Sequence, residues 1–306
     1  MFNKGSLEDQ QFFPRLLFLI GSVAFCALLA GVLIYSLFFI STTLLHADIY
    51  SISQNIAYLK GIQLLSTIAM FLIPALLLAY VSSWTPFGYL FADRGASVKI
   101  IAIAILTIVV MQPFMNLTGD WFSNWSLPSS LSGIEKWLKT EEQQNNDLVQ
   151  RFLNVHSLGG LMFNILVVAI VPAVGEEFFF RGALQRLLSD KMNIHLAIWF
   201  TALIFSAVHM DVSGLLPRMC LGAFFGYLVY WSKSIWLSVI AHFINNFWGV
   251  LSAYLVYNQC IDKNIDHLGT GSTEWVSWVG LLLFGCLLFW LFTKRLANNN
   301  MIGNNF

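Results

Sequence analysis

Residues 159–190 read GGLMFNILVVAIVPAVGEEFFFRGALQRLLSD. The stretch is apolar over most of its length and exceeds the roughly 20 residues that a helix needs to cross a bilayer. Its polar centre, Val174-Gly175-Glu176-Glu177-Phe178-Phe179-Phe180-Arg181-Gly182, places three ionisable side chains where lipid makes them costly. A membrane span that keeps such residues is a candidate functional element, and the rest of the chain is read outward from it.

Apolar runs of spanning length recur on both sides. We read about eight spans, at roughly 16–45, 61–83, 98–117, 159–190, 194–210, 214–231, 234–257 and 275–293. The runs are continuous rather than alternating, so helices and not barrel strands satisfy the backbone in lipid. The expected fold is all-α, a polytopic transmembrane helical bundle with an active-site cavity inside the membrane. Composition agrees: of 306 residues 58% are hydrophobic and 10% charged, against about 25% charged in soluble domains. The first run is far longer than the roughly 7–15 residues of a signal-peptide core, and reads as an uncleaved span.

Four segments follow. Residues 1–117 hold three spans, 118–158 an extramembrane loop with amphipathic helix, 159–257 a core of four spans, and 258–306 the last span and a tail. Asp120 to Leu131 reads as loop. Beyond it Ile134, Trp137, Leu138, Leu148, Phe152 and Leu153 recur at helical spacing, as in one or two helices lying on the membrane surface. This region reads as an interfacial connector, with substrate gating as the alternative. Asn298–Asn300 and Gly303–Asn305 read as disordered.

Net charge is zero, which offers nothing to nucleic acid. With an even number of spans both termini share a side, which collects ten of the sixteen Lys and Arg residues, and that side is read as the cytoplasm. Cys26, Cys220, Cys260 and Cys286 show no C-x-x-C spacing, which argues against a metal-thiolate or disulfide framework.

Within the polar centre, adjacent glutamates on a helix point about 100° apart. Glu177 and Arg181 stand four apart with the acid first, the order that favours a same-face ion pair. Glu176 is left without a local partner and is the candidate general base. The next span carries Phe205 one turn before His209, and the seventh carries His242 and Asn246 on one face. Counted from the turn at Lys191–Ile194, Glu176 and His209 each lie fifteen residues away, at one depth of roughly 20 Å. Two chemistries fit. Glu176 assisted by His209 activates a water while His242 and Asn246 hold the oxyanion; or Glu176, His209 and His242 ligate zinc. The first is favoured, because zinc would leave no carboxylate free as base. The chain lacks the H-E-x-x-H helix of soluble zinc proteases. A transporter or immunity protein is the non-enzymatic alternative, but no internal repeat supports a transporter.

Glu176-Glu177-x-x-x-Arg181, Phe205-x-x-x-His209 and His242-x-x-x-Asn246, in this order on successive helices, resemble the motifs of the CPBP (CAAX protease and bacteriocin-processing, or Abi) intramembrane proteases. The resemblance covers about residues 160–250. It implies a helical bundle in the membrane, with Glu176 and His209 as the water-activating pair, His242 and Asn246 as oxyanion partners, and Glu177, Arg181 and Phe205 as support. It implies membrane lipids and a protein or peptide substrate in or at the membrane as partners, without nucleic acid. The eukaryotic members remove the last three residues of prenylated CAAX proteins, and the family is commonly labelled metalloprotease.

Overall fold

The computed structural model describes residues 3–8, 12–43, 48–123, 126, 128–262 and 268–299. Helices make up most of these residues, and no strand occurs among them. We number the principal helices α1 (Phe12–Thr43), α2 (Ile49–Gln54), α3 (Ile56–Ser82), α4 (Pro86–Tyr89), α5 (Val98–Ser123), α6 (Ser132–Leu153), α7 (Leu158–Ser189), α8 (Ile194–Ala207), α9 (Leu215–Ser232), α10 (Ile235–Tyr257) and α11 (Glu274–Asn299).

Six of these are long and apolar enough to cross a membrane: α1, α3, α5, α7, α10 and the Gly271–Trp290 stretch that α11 covers. The chain is a multi-pass membrane protein. The fifth and sixth spans read from the sequence are present as α8, which is shorter at 14 residues, and α9, which keeps 18, and the two pack together between α7 and α10. Local chemistry sets the starts. Asn55 accepts from the Tyr58 amide, Ser157 from the Gly160 amide and Asn193 from the His195 amide, each supplying an acceptor to the open first turn. Lys233 takes the left-handed conformation (φ 54°) that ends α9 and turns the chain into α10.

Several boundaries differ from the sequence reading. The segment read as a loop from Asp120 is helical to Ser123, because the last turn of α5 leans Trp121 on Trp278 of α11, ring centroids 6.1 Å apart. Residues 124, 125 and 127 lie outside the described residues. The amphipathic region is one helix, α6. At the other end α11 continues to Asn299, past the start of the tail read as disordered, and 300–306 lie outside the described residues.

Lipid is as apolar as leucine, so close fit and hydrogen bonds, rather than water exclusion, join these helices. α9 shows how. Gly222 and Gly226 stand four apart and face both neighbours. The Gly222 carbonyl accepts from Arg181 Nη2 at 3.0 Å and the Gly226 carbonyl from Gln185 Nε2 at 3.3 Å, both on α7. A methyl at Gly222 would come within 3.1 Å of Phe205 and 3.2 Å of Ala202, both on α8. One small-residue ridge therefore seats α7 and α8 together. α11 docks on α5 in the same way: Ser277 donates to the Pro113 carbonyl at 2.7 Å, and Gly280 lies against the Val110 carbonyl.

Candidate active site

α7 carries the first motif. It is interrupted by two wide, π-helical turns, Ile165–Ile170 and Phe178–Leu184, and Glu176 and Glu177 sit on the α-helical turn between them. Such turns recur at functional sites, because they re-aim side chains without breaking the helix. Pro172 contributes at the first turn of this inner segment, where its missing N–H matches the changed bonding.

Glu177 is completely buried and its Oε1 accepts twice. Arg181 Nη1 donates to it at 2.9 Å, the i,i+4 pair expected from the sequence, and His242 Nδ1 donates to it at 2.9 Å from α10. A carboxylate oxygen only accepts, so Nδ1 of His242 carries the proton and Nε2 is the open nitrogen. That Nε2 lies 3.9 Å from Glu176 Oε2. The two adjacent glutamates, although they diverge along the helix, therefore meet on the two nitrogens of one imidazole.

His242 therefore has a structural partner, Glu177. It is not hydrogen-bonded to Asn246, whose Nδ2 donates to the Val168 carbonyl on α7 at 3.3 Å while its Oδ1 accepts from Asn245 at 3.2 Å. That single bond leaves the second Nδ2 hydrogen of Asn246 uncommitted.

His209 lies two residues beyond the end of α8, on the turn that follows it, rather than inside a span reaching 210. Its Nδ1 is 2.7 Å from the Phe205 carbonyl. The carbonyl only accepts, so Nδ1 donates and Nε2 is free to accept in the neutral ring. Phe205 links the two histidines: its ring meets His209 edge-on at 5.1 Å and His242 at 5.8 Å. The Arg181 guanidinium lies over the same ring at 4.4 Å, and Phe225 of α9 stacks on His242 at 5.1 Å and 19°. Phe205 and Phe225 thus hold the imidazole between the glutamates from two sides. A cavity of about 440 Å³ reaches Arg181 from the other end of α7, between Gln185, Arg186 and Lys233.

Glu176, Glu177, Arg181, His242 and Phe205 are linked pairwise through His242 and Arg181, His209 joins through Phe205, and Asn246 is one turn along α10 from His242. Among the described residues no three His, Cys, Asp or Glu side chains gather into a group able to hold a metal ion. Nδ1 of each imidazole is hydrogen-bonded and each Nε2 is open, an arrangement that a metal-ligating histidine also shows. All four cysteines are free. The motifs passed over Gly222, Gly226 and Phe225, although the four-residue glycine spacing of α9 was open to reading as a helix-packing signal.

Residues 158–248 match the family described as type II CAAX prenyl endopeptidase Rce1-like. Over these residues the family resemblance is shown. The Rce1-like segment contains every residue of the site just described, from α7 to Asn246. Among curated proteins the chain is similar to one named "Putative membrane peptidase YdiL" from Bacillus subtilis (strain 168), 32% identical over 103 residues. The match takes in 34% of this chain and 41% of that protein, about two fifths of the relative's length. No solved structure matches the chain.

Proposed function

We propose that this protein is an intramembrane endopeptidase that hydrolyses a peptide bond of a membrane-associated protein or peptide with a water activated by Glu176 and His209. The observation that carries the reading is the His242 imidazole held between Glu177 and Glu176, at 2.9 and 3.9 Å. Glu177 is neutralised by Arg181 and occupied by two donors, so it acts as an anchor. Glu176 is the carboxylate left to take a proton, and the free Nε2 of His209 is a second acceptor for the same water.

Attack of the water on the scissile carbonyl forms one C–O bond and moves one proton to Glu176. The oxygen of the tetrahedral intermediate takes hydrogen bonds from the spare Nδ2 hydrogen of Asn246 and from Nε2 of His242 in its imidazolium form. Collapse breaks the C–N bond as Glu176 returns its proton to the leaving amine. No step needs a metal ion, and the metal-free chemistry is part of the proposal. The membrane-facing helices and the Rce1-like match support a substrate in or at the membrane, with the termini on the cytoplasmic side.

The test is proteolysis of membrane-peptide substrates by the purified protein in detergent. Glu176→Gln is expected to lose activity by about 10³-fold or more, and Asn246→Ala by roughly 10²–10³-fold. Activity should survive exhaustive chelation. Full activity in Glu176→Gln, or zinc that copurifies and switches activity off and on, overturns the mechanism.

A further inference from the structure

The loop between α8 and α9 follows directly on His209, and its donors are turned toward α6. Glu142, in the middle of α6, accepts from the Val212 amide at 3.2 Å through Oε2 and from the Ser213 hydroxyl at 2.7 Å through Oε1. Ser213 Oγ is also 2.9 Å from Asp211 Oδ1, so a single proton is shared by two carboxylates. Asp211 in turn accepts from the Gly214 amide at 2.8 Å and pairs with Arg218 Nη2 at 2.7 Å. Burial alone would push the Asp211 carboxyl up, but the Arg218 charge and the bonds from Arg218, Gly214 and Ser213 outweigh it and hold the group below its usual range.

Arg218 is anchored on one arm only. Its Nη1 is buried and has no hydrogen-bond partner. A buried donor without a partner is rare in folded proteins and calls for an explanation. Arg218 lies in the first turn of α9, at the far end of the loop that begins at His209. The loop backbone is itself held in a sparsely populated conformation at Met210 (φ 52°), next to His209.

We infer that this loop is a carboxylate-binding subsite, formed by the Val212 amide, the Ser213 hydroxyl and Arg218 Nη1, in which Glu142 is a resident stand-in that a substrate carboxylate displaces. Glu142 occupies the amide and the hydroxyl but leaves Nη1 unmet. An incoming carboxylate not tethered to α6 is free to meet all three. Displacement frees the centre of α6 from the loop, so binding and opening of this amphipathic helix are one event. The incoming group is either the terminal carboxylate of the substrate or an Asp or Glu side chain near the cleaved bond. The inference borrows from the proteolytic reading only the identity of the ligand as substrate.

The experiment measures binding to the full-length protein in detergent, by fluorescence anisotropy, in a Glu176→Gln background so that nothing is cleaved. The probes are labelled nonapeptide pools in three forms: neutral with a free C-terminal carboxyl, neutral and amidated, and amidated with one Asp. At least one acidic form should bind about tenfold more tightly than the neutral amide, the effect of one charge-assisted contact, and which form does so identifies the source. Adding Glu142→Gln should tighten that form several-fold and leave the neutral amide unchanged. Adding Arg218→Gln should erase the preference. Equal binding of all three forms, or a preference that survives Arg218→Gln, overturns the inference. If Arg218→Gln does not fold, the Glu142→Gln arm decides: weaker binding of every form means that Glu142 is only a structural tie. Turnover retained by Glu176→Gln would sink the proteolytic mechanism and leave these binding arms intact.

Discussion

α1 and the α7 helix, Phe12–Thr43 and Leu158–Ser189, are each 32 residues long and apolar, and they do opposite jobs. In its most apolar stretch α1 is 17% buried, against 39% for α7. α1 is unbroken α-helix and turns Leu17, Phe25 and Leu28 outward. α7 changes winding twice and buries Glu176, Glu177, Arg181 and Gln185, of which Glu177, Arg181 and Gln185 are hydrogen-bonded by α7 itself or by α9 and α10. Apolar length alone puts a helix in the membrane. Polar groups inside it then demand partners, because lipid provides none, and those partners make α7 the organiser of α8, α9 and α10.

Three substitutions sharpen or break this contrast. The largest effect is expected at Glu177. Glu177→Gln removes the charge opposite Arg181 and leaves His242 only a neutral amide oxygen, and should destabilise the protein by about 3–5 kcal/mol in reversible unfolding in mild detergent. The double variant Glu177→Gln/Arg181→Met should recover much of that loss; equal instability of single and double variants would show that the pair is not the origin. A smaller loss, about 1–3 kcal/mol, is expected from Gly226→Ala, whose methyl would come within 2.6 Å of Gln185 Oε1 and 2.9 Å of Ile198. The smallest is expected on α1: Leu28→Ile, at a side chain 65% exposed, should stay within about 0.5 kcal/mol. A loss at Leu28 as large as that at Gly226 would mean that α1 meets a protein partner and not lipid.

The three motifs were legible because each is local. Glu177 and Arg181 are four residues apart, and helical periodicity alone brings them onto one face; the structure has them at 2.9 Å. The anchor of His242 was not legible for the same reason. Same-face spacing puts Asn246 one turn from it, whereas its acceptor, Glu177, is 65 residues away in the chain. Spacing along one helix cannot show which neighbouring helix presents a carboxylate.

By itself, the sequence determined that this chain is a helical membrane protein, since composition and run length decide its solvent. It also determined which few ionisable residues lie in the second half. Tertiary structure alone decided that both glutamates converge on one imidazole, that the Phe205 carbonyl selects the His209 tautomer, and that Glu142 lies on the loop beyond His209. These are contacts between separate elements, set by how Gly222 and Gly226 let the helices approach and by where α8 ends. A hydrogen bond acts over about 3 Å, and no regularity of residue spacing carries that information from one helix to the next.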